Sequence, residues 1–264
     1  MNELTPRRLQ ADLSRALQDV EGWLQPAEAW VLFEAARTSC PGADQALAVE
    51  IGSYKGRSAI ALASGLRVRG GGRVVAIDPF ALEPGQQAAF DANLARAGFS
   101  DLVEAIPAYS HDARPKIEDR SVLTLFVDGS HDYEDVKQDV LDWESALLDG
   151  AVVAFNDPFW SGVSRALRDT VALRRSPFRR PRWIVNTMFF DYRPSEPWTA
   201  QDRLHRLRLR AFLRLGRAWF RFNATVERDT RVPAWFKRIQ LRIAQAIFKT
   251  LLPVIDIDWD PSNV

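Results

Sequence analysis

The sequence is poor in cysteine, methionine and histidine, with one, two and three respectively among 264 residues. Cys40 alone cannot close an internal disulfide, and no cysteine pair exists for a zinc ribbon or a redox motif, so a reducing compartment is expected. Long apolar runs are missing too. No stretch approaches the roughly 18 residues of a membrane-spanning helix, and Met1 to Leu24 is dotted with Arg, Glu and Asp where a secretory leader would be apolar. A cytoplasmic location is therefore expected. With 47% hydrophobic and 26% charged residues, wholesale disorder, collagen-like repeats and a coiled-coil rod are excluded. Net charge of one sign is also lacking, at +1 overall, but the sum hides a split. Residues 193–264 hold 14 Lys and Arg against 7 Asp and Glu, and the preceding residues balance them with a net −6.

What is present is an alternation of short β-branched runs with longer helical patterns. The runs are 46–51, 73–78, 103–108, 122–128 and 151–156, each nearly continuous in apolar residues, as strands covered on both faces require. Helical stretches fall at 57–66, 86–97, 133–148 and 161–175, with Gly150 as the cap closing the third of them. Two further strands, 183–186 and 188–192, read as a hairpin, and residues 4–37 read as two helices separated near Gly22–Pro26. This pattern predicts an α/β fold, a doubly wound and mostly parallel sheet with N-terminal helices and a C-terminal helical appendage. Arg179-Arg180-Pro181 and Pro194–Pro197 are the candidate breakpoints. The second divides residues 1–198 from a tail, 199–264.

In an open parallel sheet the ligand lies beyond the carboxyl ends of the strands. The first run ends Glu50-Ile51-Gly52-Ser53-Tyr54-Lys55-Gly56-Arg57-Ser58 and passes directly into a helical stretch. Gly52 permits a tight turn and Gly56 a close backbone approach to a ligand, beside free helix N–H groups. The G-x-x-x-G spacing is neither the dinucleotide G-x-G-x-x-G nor a P-loop, which disfavours a cradled phosphate. Asp78 closes the second run, where a carboxylate can accept both hydroxyls of a ribose. Together these residues suit an adenosine-containing ligand. As a turn and a cap alone, they would need no ligand.

The segment Glu50-x-Gly52-x-x-x-Gly56 followed by Ile77-Asp78 resembles the cofactor site of class I S-adenosylmethionine-dependent methyltransferases. VEIGSYKGRSAIALA, AIDPF and FVDGSHDYEDVKQDV are similar to the branch containing macrolide-sugar O-methyltransferases, over about residues 22–192. The resemblance implies a Rossmann-like methyltransferase fold and S-adenosyl-L-methionine as cofactor. It implies that Glu50 lies near the methionine end, that Gly52, Ser53, Gly56 and Ser58 form the wrapping loop, that Asp78 binds the ribose, and that Ser110 lies by the adenine. Asp128 ends the fourth run and Asn156-Asp157-Pro158 the fifth. Carboxylates at adjacent strand ends can share a hard cation, and a nearby imidazole can take a proton from an acceptor hydroxyl. The resemblance implies Mg²⁺ on Asp128 and Asp157, with the Asn156 amide oxygen as the remaining candidate, and His131 as the catalytic base. Pro158 offers no side-chain ligand. The bland reading gives Asp128 a capping role and His131 a hydrogen-bonded surface role; His111 and His205 receive that reading outright, and the tryptophans are read as packing.

In the tail, Arg203, Arg206, Arg210, Arg214, Arg217 and Arg221 recur at helical spacing and form one stripe beside a wide arc of Leu204, Leu207, Phe212, Leu215, Trp219 and Phe220. Residues 235–252 repeat the plan. Such helices suit an anionic membrane surface, here the inner face of the membrane, or they pack their apolar arcs on the sheet domain or a second subunit in a homo-oligomer. Nucleic acid ranks lower, because the aromatics are not interleaved with the arginines. The expected function is methylation of a hydroxyl on a small-molecule, sugar or lipid-linked substrate. An RNA or protein methyltransferase and a catalytically idle membrane-recruited cofactor-binding module are the alternatives.

Overall fold

The computed structural model describes residues 5–43, 46–228 and 246–253. Two helices come first, α1 (Pro6–Leu17) and α2 (Pro26–Thr38). Each begins on a proline, whose missing N–H costs nothing in the first helical turn. Glu28 turns back to accept from the Gln25 N–H and so closes the start of α2. Then follow β1 (Leu47–Ile51), α3 (Arg57–Arg69), β2 (Arg73–Ile77), α4 (Gln86–Ala97), β3 (Val103–Ile106), the single turn α5 (Ser110–Ala113) and β4 (Val122–Val127). The chain continues through α6 (Tyr133–Trp143), β5 (Leu147–Asn156), α7 (Ser161–Asp169), β6 (Phe178–Ile184), β7 (Thr187–Tyr192) and α8 (Ala200–Arg228).

Among the described residues the strands form one seven-stranded sheet in the order β3-β2-β1-β4-β5-β7-β6. The first five in that order run parallel, and β7 is antiparallel to both neighbours. The order reverses between β1 and β4, which opens a crevice at their carboxyl ends. Each face of the sheet carries its own core. Leu47, Val49 and Ile51 of β1 pack with Val140, Trp143 and Leu167 on one side, while Ala48 packs with Phe33, Ile60 and Phe90 on the other. On this second side α2 and α3 cross closely because Gly65 has no side chain: a Cβ there would stand 2.2 Å from the Phe33 carbonyl oxygen.

Several expectations need correction: α7 ends at Asp169 where a helix to residue 175 was expected, and the first hairpin strand is Phe178–Ile184 where 183–186 was expected. The helix predicted to reach residue 148 ends at Trp143, and β5 starts at Leu147, which pairs with Val122; Gly150 is inside the strand at φ 100°, not at a helix end. Arg179-Arg180-Pro181 is not a breakpoint but part of β6, an edge strand whose register shifts between Arg179 and Arg182, where a proline costs no ladder bond. The arginine stripe of α8 is not continuous on one face. Arg206 turns inward, is buried, and donates to the carbonyls of Val171 and Ser176 at 2.5 and 2.9 Å and to that of Phe178. Leu209, Phe212 and Leu213 are buried in the same core as β5 and β7, and Gly216 lets α8 lie directly on the Phe159 ring. Most of the second tail segment lies outside the described residues; within it, Phe248 and Leu252 are buried against Phe159, Phe212 and Trp183 or their neighbours in that core.

Candidate active site

A cavity of about 920 Å³ opens at the carboxyl ends of β1, β2, β4 and β5. Of the residues singled out from sequence, Gly52, Asp78, Ser110, Asp128, His131, Asn156 and Asp157 line it. Glu50, Ser53, Gly56 and Ser58 stand behind the lining, in the strand end and the loop that carry it.

The loop from β1 to α3 is set by backbone geometry. Gly52 and Gly56 sit at φ 86° and 88°, in the left-handed region that side chains disfavour, with Tyr54 between them at 45°. A Cβ on Gly52 would stand 2.2 Å from the Asp128 carbonyl oxygen, so this glycine lets the loop rest on the end of β4. Gly56 faces the Phe90 ring instead, at 3.1 Å. Both close approaches are to the protein itself rather than to open ligand space. Asp78 pins the loop from below: one carboxylate oxygen accepts from Ser53 and Tyr54 N–H at 2.9 Å each, and the other from Phe80 N–H and the Gln86 amide at 2.6 and 3.2 Å.

Glu50 is fully buried, and neither of its carboxylate oxygens has a hydrogen bond of normal geometry, although the Ser53 and Ser58 hydroxyls lie toward it. Burial pushes its pKa up to about 8. Asp128 is likewise pushed up to about 8, by burial, against the hydrogen bond from Asn156. At the opposite end of the cavity, Ser110 accepts a 2.8 Å bond from the Trp143 indole and faces Asp139, whose pKa burial raises to about 6. Trp143 is therefore packing with a polar task. The structure adds Asp139 to the site, an acid with nothing in its sequence context to separate it from the other carboxylates of α6.

His131 lies over the edge of β5. Its Nε2 is 3.2 Å from Asp157, and its ring packs on Trp160 with centroids 4.6 Å apart. The hydrogen bond to Asp157 is the main influence raising its pKa above the ordinary imidazole value, opposed by burial. Trp23, read from sequence as packing, is 68% exposed and lies against Tyr54 at the rim, where Leu82, Tyr109, His111 and Trp160 also stand. The mouth is thus apolar and aromatic.

The Mg²⁺ set does not fit these residues. The Asn156 amide donates to Asp128 at 2.9 Å, placing an N–H where a cation would need open lone pairs, and its oxygen faces the Thr187 hydroxyl at 3.1 Å. The same hydroxyl lies 2.7 Å from the buried Glu28, so its single proton serves one of these two acceptors at a time. Asp157 is engaged by His131, and no group of three or more His, Cys, Asp or Glu is arranged for a metal among the described residues.

Residues 49–158 match the family described as a methyltransferase domain. The chain has the class I methyltransferase fold. Among solved structures, a protein from Corynebacterium glutamicum superposes with a TM-score of 0.58 at 16% identity, covering 71% of this chain and 92% of that one. The O-methyltransferase TomG from Streptomyces achromogenes, involved in tomaymycin synthesis and solved with S-adenosylmethionine, gives 0.52 at 21% identity, over 68% and 89%. An O-methyltransferase from Bacillus cereus, solved with S-adenosylhomocysteine, gives 0.50 at 18% identity, over 69% and 88%. No curated protein matches the sequence. In this methyltransferase fold the cavity occupies the crevice where the strand order reverses.

Proposed function

We propose that this chain transfers a methyl group from S-adenosylmethionine to a hydroxyl of a small-molecule, sugar or lipid-linked acceptor, without a divalent cation. The observation that carries the reading is the 920 Å³ cavity at the switch point, closed on one side by the left-handed loop that Asp78 holds. The buried Glu50 carboxyl has no hydrogen bond of normal geometry and a pKa raised by burial, and it supports a cationic ligand because positive charge beside it would favour its ionised form. The cofactor supplies an electrophilic sulfonium methyl group. Glu50, the Gly52–Gly56 loop and Asp78 would hold its methionine and ribose portions, and Ser110 with Asp139 its base. Asp157 orients the His131 ring through Nε2, which leaves Nδ1 to take the acceptor's hydroxyl proton as the oxygen attacks. Asn156 does for Asp128 what a cation would otherwise do, satisfying an oxygen that faces the cavity. Positioning and a deprotonated acceptor are the main requirements of such an in-line transfer.

Titration calorimetry with S-adenosylmethionine tests the reading. Binding is expected in the wild type and should fall by about tenfold or more in Asp78→Ala, which removes the carboxylate proposed for the ribose along with the four hydrogen bonds that anchor the loop and its surroundings, each worth about 1 kcal/mol or more. No binding by the wild type, or unchanged affinity in the variant, would sink it.

A further inference from the structure

Docking α8 on the domain leaves a second apolar stripe facing outward. Leu204, Leu207, Leu215 and Phe222 are 46%, 68%, 48% and 51% exposed. With Ala211 and Ala218 they follow spacings of three and four, one line along the outer side of the helix. From the first to the last, the line runs about 27 Å at the α-helical rise. Arg203, Arg210, Arg214 and Arg221, all exposed, flank one edge of this line, and Arg208 flanks the other. From Arg203 to Val226 the helix contains no Asp or Glu, and none of these five arginines forms an ion pair among the described residues. The neighbouring helix adds positive charge: Arg165 and Arg168 of α7, with Arg221, help depress the pKa of Arg217, after burial itself. The acid nearest the start of the helix, Asp202, is already paired with Arg179 at 2.8 Å.

We infer that the outer face of α8 is a docking surface for an anionic lipid bilayer, Leu204, Leu207, Leu215 and Phe222 entering the headgroup–acyl boundary while the flanking arginines meet lipid phosphates. A second copy of the chain placed on the same face would bring arginine stripes together without an acid to offset them. A free polyanion would use the arginines and leave the apolar line in water. A bilayer surface alone satisfies both sets of side chains, and its depth matches a helix lying in the interface plane. No helix among the described residues is long and apolar enough to cross a membrane, so the contact is one of a helix lying on the surface. The helix also reaches the cavity rim: Phe220 lies against Trp160, with centroids 6.3 Å apart, and Trp160 lies against His131. Phe220 leaves α8 on the side turned to the domain, opposite the outward stripe, so the docking inference stands apart from the proposed methyl transfer.

The test is co-sedimentation of the full-length chain with vesicles of phosphatidylcholine alone or mixed with phosphatidylglycerol. Pelleting is expected only with the mixed vesicles and should weaken as salt rises. Arg210→Glu, Arg214→Glu and Arg221→Glu combined should lower the apparent affinity by at least about fivefold for each arginine reversed. Leu207→Asp with Leu215→Asp should abolish pelleting with the arginines intact. These side chains are exposed, so both variants should keep the wild-type melting curve and S-adenosylmethionine affinity; if the aspartates disturb the helix, Leu207→Ser with Leu215→Ser replaces them. Failure of the wild type to pellet with the mixed vesicles would overturn the inference, as would equal pelleting by the leucine variant. A dimer in solution that dissociates in the leucine variant would assign the face to a second copy and overturn it equally.

Discussion

Glu50 and Asp128 are the two carboxyls most strongly displaced by burial, each pushed up to about 8. A carboxyl whose folded pKa exceeds its unfolded one keeps a proton that the unfolded chain has released. Each therefore costs stability as pH rises from about 4 in the unfolded chain towards about 8. A cationic ligand reverses the burden, because positive charge beside Glu50 favours the ionised form. Binding of S-adenosylmethionine near pH 7 should accordingly release protons. Calorimetry in buffers of different ionisation enthalpy would show heats that diverge, and the divergence should shrink in Glu50→Gln, which should also lose less stability between pH 5 and 8, a window on the order of that shift. Identical heats in all buffers for the wild type would exclude the assignment of Glu50 to the cationic end. His131 behaves in the opposite sense. Its pKa is raised by Asp157, so the pair's stabilisation is complete below the unfolded imidazole pKa and is lost as pH rises through the folded one. Turnover that needs the neutral ring should rise across that raised value. In Asp157→Asn the histidine's NMR titration midpoint, and the rising limb of the rate profile, should move to lower pH; an unmoved midpoint would show that Asp157 does not orient the ring.

The loop joining β1 to α3 shows what a sequence can and cannot reveal about an element. Its two glycines, the polar strand end and the following helix were visible in Glu50–Ser58, because left-handed backbone and a strand-to-helix turn demand particular residue types. The partners of the glycines were not visible, since they come from β4 and α4, far along the chain. Gly52→Ala places a methyl group against the backbone of Asp128, which cannot yield without moving the strand end. Gly56→Ala meets only the edge of the Phe90 ring, which can rotate or shift. Both pay the cost of a left-handed alanine, roughly 1–3 kcal/mol, but Gly52→Ala should cost the larger amount and lower the melting temperature by roughly 5 °C more. Equal thermal shifts for the two variants would show that the contact with β4 is soft. The same limit explains the misplaced start of β5. Leu147-Leu148-Asp149 carries an apolar pattern compatible with a helix end, and only pairing of Leu147 with Val122 makes it a strand. In α8 the even spacing of arginines likewise hid the inward turn of Arg206, because the carbonyls that receive it run from just after α7 to the start of β6.

At the scale of the whole molecule the charge split read from sequence coincides with no separation of cores. The acidic portion carries the cavity, and the basic portion begins where α8 begins, yet Leu209, Phe212 and Leu213 are fully buried among the side chains of the sheet's α7 face. Each such side chain contributes about 2 kcal/mol by leaving water, before the cost of ordering the helix is subtracted. Ser164 of α7 donates to the Leu213 carbonyl at 3.1 Å, and Arg206 holds three carbonyls of the segment after α7, so the attachment is polar as well as apolar. The basic helix is thus built into the domain on one side and open on the other. A chain cut after residue 198 should therefore behave as a damaged domain rather than a trimmed one. It is expected to melt roughly 5 °C or more below the full chain, given several kcal/mol lost, and to bind a hydrophobic dye through the uncovered rings of Phe159, Phe178 and Trp183. Differential scanning fluorimetry of the two chains side by side decides this. Coincident melting curves without added dye binding would mean that α8 is an appendage resting on a complete core, and the outward stripe would then belong to a detachable arm.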